Sequence, residues 1–245
     1  MKTEGRNAVL ELLKTGKNID KILLEKSDKS APQGSLGLVF AQARAKGVRV
    51  QFVDRRVLEK ESVTGKHQGV IAFTTDYEYF DLDEIIACKK SEKGGFVILC
   101  DGIEDVHNLG SILRVAECAG ADGVVISKTG CASVTESVIR ISAGAAEHVK
   151  VARVSSLNQA VEHLQKQGFW VYALEAGGED IYAQDFSGNV ALVVGGEDSG
   201  VKRLTKERCD KVLSIPLQGK VNSLNASVAL GIAAYEVVKG RLLTK

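Results

Sequence analysis

The chain has 245 residues, 44% of them apolar and 26% charged, with a formal net charge of +1; this composition predicts a soluble globular protein of two domains and excludes a disordered or fibrous chain. No apolar run nears the roughly 20 residues that cross a bilayer, and the N-terminus has no signal-peptide apolar core followed by a cleavage site, so the expected location is the cytoplasm. The small net charge hides an asymmetry: residues 1–75 carry 14 Lys and Arg against 8 Asp and Glu, a surplus of +6, whereas residues 76–94 sum to −3 and residues 95–245 to −2.

Along the chain, Ala8, Val9, Leu12 and Leu13 lie at helical spacing in a first helix predicted to end at Gly16, and Lys21–Glu25 reads as a short strand. A polar loop over residues 26–34 leads to a second helix, Leu36–Lys46, closed by Gly47. Strand Val48–Val53 follows, then a short helix capped by Asp54, then strand Gly69–Thr74. This alternation predicts a small α/β module at residues 1–75. Its charge suits a polyanion, because Lys and Arg gain affinity by releasing phosphate counterions; a solvated basic face without a partner has the same composition.

Residues 76–94 are acidic and polar apart from Ile85, Ile86 and Ala87, and are read as a linker. From residue 95 to 245 the pattern predicts a larger α/β domain. Its strands Phe96–Cys100, Gly123–Ser127, Phe169–Leu174, Val190–Val194 and Val212–Ile215 are nearly all apolar, as in a parallel sheet covered on both faces. Ser133 with Glu136 and Ser156 with Gln159 fit capping boxes, and Gly120, Gly168 and Gly240 fit helix C-termini. The five cysteines are odd in number and widely spaced, which predicts reduced structural thiols and no metal or redox pair.

In such a sheet ligands bind where loops leave the carboxyl ends of strands, and three of those loops are polar or glycine-rich. After the first strand, Asn108 and Arg114 are spaced to face one site, although an Asn cap and a surface arginine would use the same spacing. After strand Val190–Val194, Gly195 and Gly196 precede Glu197, and glycines of this kind let a ligand approach the backbone. Before the final helix come Ile215, Leu217, Ser223, Leu224, Asn225 and Ser227. Ser223 is the expected N-cap there, and Leu224, Val228, Ile232 and Tyr235 the expected buried stripe. A phosphate loop, a dinucleotide fingerprint and a G-x-S-x-G elbow are missing from the sequence, which disfavours an ordinary nucleotide-binding fold of the dinucleotide type, and there is no zinc-ligand cluster to suggest a metal.

Together the three segments resemble the motifs of the SpoU branch of the knotted methyltransferase superfamily. The matching residues are Asn108, Gly110, Ile112 and Arg114; Val194, Gly195, Glu197 and Gly200; and Ile215, Pro216, Leu217, Gly219, Ser223, Leu224, Asn225, Ser227 and Ala229. Ala226, where the family more often has valine, is the one departure. Gly5–Val9 and His67–Val70 resemble the substrate-binding domain of the 23S rRNA guanosine-2′-O-methyltransferases, which has a ribosomal-protein-like fold. The resemblance thus spans almost the whole chain.

It implies a trefoil-knotted parallel-sheet domain behind a small N-terminal α/β domain, and a homodimer. It also implies transfer of a methyl group from S-adenosylmethionine to a ribose 2′-hydroxyl of RNA, a guanosine of 23S rRNA being favoured. Asn108, Arg114, Glu197, Ser223 and Asn225 would then line the methyl-transfer site, and Gly195, Gly196, Ile215, Leu217 and Leu224 would hold the cofactor. Arg6, Arg44, Arg49, Arg55, Arg56 and Lys66 would contact RNA. Two other readings are a tRNA ribose methyltransferase, which would share the three motifs, and a non-catalytic RNA-binding or assembly factor.

Overall fold

The computed structural model describes residues 1–15, 17–26, 32–74, 77–88, 91–197 and 199–243. The expected helix stop at Gly16, most of the polar loop at 26–34, and Asp198 lie outside the described residues. The chain divides into two compact units, Met1–Glu78 and Tyr79–Lys245.

In the first unit β1 (Lys2–Glu4), α1 (Arg6–Lys14), β2 (Ile19–Glu25), α2 (Gly34–Ala45), β3 (Arg49–Val53), α3 (Arg55–Glu61) and β4 (Val70–Thr74) follow one another. The sheet order is β1-β4-β2-β3, with β2 and β3 parallel and β4 antiparallel to both neighbours. Val9, Leu13, Ile22, Leu24, Val39 and Ala43 close one core between the sheet and α1 and α2, and Leu58 of α3 covers Leu23 and Ile71. β1 leaves no signal in the sequence. Three residues ahead of a glycine leave no periodicity to detect, and what fixes them is pairing with β4.

The second unit is a six-stranded, wholly parallel sheet in the order β10-β8-β9-β5-β6-β7. Its strands are β5 (Phe96–Asp101), β6 (Gly123–Ser127), β7 (Lys150–Val154), β8 (Trp170–Asp180), β9 (Val190–Gly195) and β10 (Lys211–Ser214). Helices α4 (Leu82–Ile86), α5 (Val106–Cys118), α6 (Glu136–Ile141), α7 (Leu157–Lys166), α8 (Arg203–Arg208) and α9 (Ala226–Leu243) surround it. All residues of β5, β6 and β9 are buried, which is why these central strands are apolar throughout.

Several expectations change. β7 was not anticipated, because Lys150 and Arg153 interrupt its apolar run. At the sheet edge those side chains lie over Phe80 and Tyr79, with the cations 5.3 and 5.4 Å from the ring centroids. Tyr79, Phe80 and α4 belong to the stretch read as a linker. Here Phe80 donates its N–H to Val151 and Ile85 is buried in the core of the second unit. Thr135, not Ser133, caps α6 and accepts from the Val138 N–H, whereas Ser156 caps α7 as expected, accepting from Gln159. All five cysteines are free thiols.

The final helix differs most. α9 starts at Ala226, and its first turn is capped by the Asn225 side chain rather than by Ser223. Ala226, Leu230, Ala233, Ala234 and Val237 form its buried face. Of the stripe expected to be buried, Val228 and Tyr235 point outward, 50% and 53% exposed, Ile232 is half-buried, and Leu224 precedes the helix. No helix among the described residues is long and apolar enough to cross a membrane.

Candidate functional site

In the second unit the chain runs from β5 outward through β6 to β7, then crosses to the other side of β5 for β8, β9 and β10. The direction of winding therefore reverses at β5 and β9, and the loops leaving their carboxyl ends separate and open a crevice. Next to it, on the β8 side of β9, lies a cavity of about 440 Å³ lined by residues of the β8, β9 and β10 ends and the lead-in to α9.

All five residues expected to hold a cofactor line it: Gly195, Gly196, Ile215, Leu217 and Leu224; so do Glu197 and Ser223. Leu174, Leu213, Ile215, Leu217 and Leu224 make apolar walls, and Glu175, Glu197, Ser199, Asn222 and Ser223 add polar groups. A small organic ligand with both apolar and polar parts fits such a lining. The glycines are sterically required. A Cβ on Gly195 would lie 2.0 Å from the carbonyl carbon of Gly200, and one on Gly196 would lie 2.5 Å from the carbonyl oxygen of Gly102.

Beside this cavity, at Glu197, three side chains from three separate segments meet. Asn225 Nδ2 donates to Glu197 Oε1 at 2.6 Å and to Asn108 Oδ1 at 2.8 Å, and Asn108 Nδ2 donates to Glu197 Oε1 at 3.1 Å. The triangle closes over chain separations of up to 117 residues. Asn108 is buried there, although it sits in the first turn of α5, whose actual N-cap is Asp105. An adjoining cavity of about 580 Å³ shares Gly196, Glu197 and Ser199 with the first and extends past Asn108 to Glu104, Asp105 and Lys202. Two chambers thus meet at one carboxylate.

Arg114 is not part of this cluster. It follows Asn108 by six residues, which at about 100° per residue turns it roughly 120° away around the helix axis. It is exposed and lines neither cavity. Ser223 lines the cavity wall outside the triangle.

The sequence reading also missed residues. Asp101 and Lys202 form an ion pair of 3.0 Å beside the second cavity, and Glu175 lines the first. None lies in a recognisable motif, and only the return of the chain past β5 and β8 brings them to the site. Among the described residues no group of three or more His, Cys, Asp or Glu side chains is arranged to hold a metal ion.

In the first unit the residues expected to contact RNA are dispersed. Arg6 is tied down, donating to the Gln68 carbonyl at 2.9 Å and to Ser35 Oγ at 3.1 Å, and Arg55 pairs with Glu59. Arg44, Arg56 and Lys66 are exposed. Arg49 stands in register with Lys21, Phe73 and Lys2 across all four strands, and both lysine ammoniums lie within 5.3 Å of the Phe73 ring centroid.

Residues 95–235 match the model of the SpoU rRNA methylase family, and residues 3–80 match that of the RNA 2′-O ribose methyltransferase substrate-binding family. Over 239 residues the chain is 40% identical to YacO of Bacillus subtilis, named for the TrmH family of tRNA/rRNA methyltransferases; the match covers 97% of this chain and 94% of YacO. The SpoU methyltransferase AviRb from Streptomyces viridochromogenes, solved in complex with AdoMet, shares the fold with a TM-score of 0.61. Its identity is 20%, over 99% of this chain and 90% of its own. The TrmH/SpoU tRNA modifying enzyme of A. aeolicus aligns at a TM-score of 0.57 and 26% identity, over 66% of this chain and 81% of its own.

Proposed function

Because this chain belongs to the SpoU rRNA methylase family, we propose that it methylates a ribose 2′-hydroxyl of RNA, with S-adenosylmethionine as donor and a guanosine of 23S rRNA as the favoured acceptor. The observation that carries this reading is the Asn108–Glu197–Asn225 triangle where the two cavities meet. The first cavity, with its glycine backbone and leucine walls, suits an adenosine-bearing cofactor held by Gly195, Gly196, Ile215, Leu217 and Leu224. Bound there, the cofactor supplies an electrophilic methyl group on a sulfonium. The second cavity leaves room for the acceptor nucleotide.

The chain's own residues orient and neutralise. Glu197 Oε1, fixed by two amide donors, presents a carboxylate where the two ligands would meet, and favours positive charge there. A guanidinium does not give up its proton at ordinary pH, so Arg114 acts by gripping the phosphate next to the acceptor or by steadying the developing alkoxide. Its turn away from its own cavity, together with the exposed apolar face of α9, supports a homodimer that completes each site. The family reading also carries a trefoil knot at the last helix and a cytoplasmic location. In the basic first unit Arg6, Arg44, Arg49, Arg55, Arg56 and Lys66 would contact RNA backbone, and removing residues 1–75 should weaken RNA binding while leaving cofactor binding nearly intact.

The test is transfer of labelled methyl from S-adenosylmethionine to rRNA, and separately to tRNA, purified from cells lacking this gene, followed by alkaline hydrolysis. Alkali-resistant labelled dinucleotides from rRNA are expected. Label confined to tRNA would replace the substrate by the second reading, which the names of the tRNA/rRNA relatives support. Label in neither would overturn methyl transfer and favour a non-catalytic binding factor.

A further inference from the structure

The loop between β9 and α8 carries Glu197, and its described residues fold back sharply: the Gly200 N–H donates to the Gly196 carbonyl at 2.8 Å. Glycine-rich loops have no intrinsic shape, so something outside the loop must set this one. Two carboxylates outside the three motifs hold its return limb, one from each side.

Asp101, 2% exposed at the end of β5, accepts from the Lys202 N–H through Oδ2 at 3.0 Å and pairs with Lys202 Nζ through Oδ1 at 3.0 Å. Its carbonyl accepts from the Gly196 N–H at 3.1 Å, so one residue fastens the outgoing and the returning limbs. Glu175 follows Leu174, where β8 makes its last pairing with β9. Its Oε2 accepts from the Val201 N–H at 2.9 Å and lies 3.5 Å from Lys206 Nζ. It also presses on Gly200, where φ is +59° and a Cβ would fall 2.4 Å from the same oxygen. Adjacent amides, Val201 and Lys202, are thereby pinned to carboxylates on different strands.

We propose that Asp101 and Glu175 are positioning residues, which together hold the described residues of this loop, 195–197 and 199–202, in the shape that walls the cofactor cavity and presents Glu197 to Asn108 and Asn225. The inference rests on the cofactor-site reading of that cavity. Charge-assisted hydrogen bonds to a backbone N–H are among the stronger anchors in a protein. Their loss would free the loop without unfolding the sheet, whose strands are held by their own ladders.

The experiment compares full-length wild type with Glu175→Gln, Glu175→Ala, Asp101→Asn and Asp101→Ala. The readouts are S-adenosylhomocysteine affinity by calorimetry, kcat and KM, and hydrogen exchange at the amides of Gly196, Gly200, Val201 and Lys202. Each alanine variant should exchange these amides at least about tenfold faster and weaken S-adenosylhomocysteine about tenfold or more, the size expected for losing a charged acceptor. Gln and Asn keep one acceptor oxygen and should recover most of both effects. Unchanged exchange and affinity would overturn the proposal. So would equal losses in the alanine and amide variants accompanied by faster exchange throughout the sheet, which would mark a purely structural role. A wild type that binds no S-adenosylhomocysteine would instead sink the cofactor reading, and the exchange data would still decide whether these carboxylates clamp the loop.

Discussion

Asn225 performs two tasks with one amide. Its oxygen accepts from the N–H groups of Ser227 and Val228 at 3.0 and 3.3 Å, capping α9, while its nitrogen bonds both Asn108 and Glu197. The tasks separate by substitution. Asn225→Ala should cost about 1 kcal/mol of stability from the lost cap, and should lower kcat about a hundredfold by opening the triangle. Asn225→Ser should restore the cap and the melting temperature yet leave kcat low, because a serine hydroxyl is too short to reach Glu197. If serine rescued both, the triangle would have no part in turnover. A second residue makes a prediction about pH. Burial works against ionisation of Glu4, but the Ser62 and Thr64 hydroxyls and the Val63 and Thr64 N–H groups bond its carboxylate and lower its pKa to about 2. A group with a depressed folded pKa binds fewer protons in the native state. Its stabilisation is complete above the unfolded value of 4.5 and fades as pH falls toward 2. Thermal melts across that window should therefore fall less steeply for Glu4→Gln than for wild type, and parallel curves would refute the assignment.

Among the elements, α5 shows two effects of opposite sign at one position. Gly110 lies in mid-helix, where alanine is worth about 1 kcal/mol more than glycine by propensity alone. Yet a Cβ there would meet Ile141 atoms at 2.6 and 2.7 Å, and the Val138 carbonyl at 3.2 Å, across the contact with α6. Overpacking of this kind costs about 1–3 kcal/mol, so Gly110→Ala should destabilise in chemical denaturation, and a stabilised variant would contradict the close approach of the two helices. Central strands such as β5 and β9 were legible because two-sided burial makes every residue apolar. β1 and β7 were not, since β1 is only three residues long and Lys150 and Arg153 break the apolar run of β7. In the site, the glycines and the residues 215–224 that line the first cavity and the members of the triangle were readable as motifs, whereas Glu175, which lines the same cavity, and Asp101 and Lys202 depend on the return path of the chain. The buried face of α9 was misread for a different reason. Apolar residues surround that helix, so periodicity offers two stripes, and only the one rich in small alanines lies close against the sheet.

At the scale of the whole molecule, the second stripe has consequences. Val228, Tyr235 and Leu242 are exposed along one side of α9, and an apolar helix face left in water marks an interaction surface. Its neighbour α5 carries Arg114, exposed and turned from its own cavity, so a symmetric pairing through this region would bury the apolar stripe and bring Arg114 near the partner's site. A stable pairing of this kind buries about 800 Å² per protomer, and two carboxylates placed in its middle should abolish it. Wild type is therefore expected to sediment as a dimer and Val228→Glu with Tyr235→Glu as a folded monomer in sedimentation equilibrium; a monomeric wild type would refute the pairing. The monomer should lose methyl transfer by at least about tenfold, as expected when a charged group that meets the transition state is withdrawn. A double variant that stays dimeric would move the interface elsewhere, and a monomer with full activity would show that each chain carries a complete site.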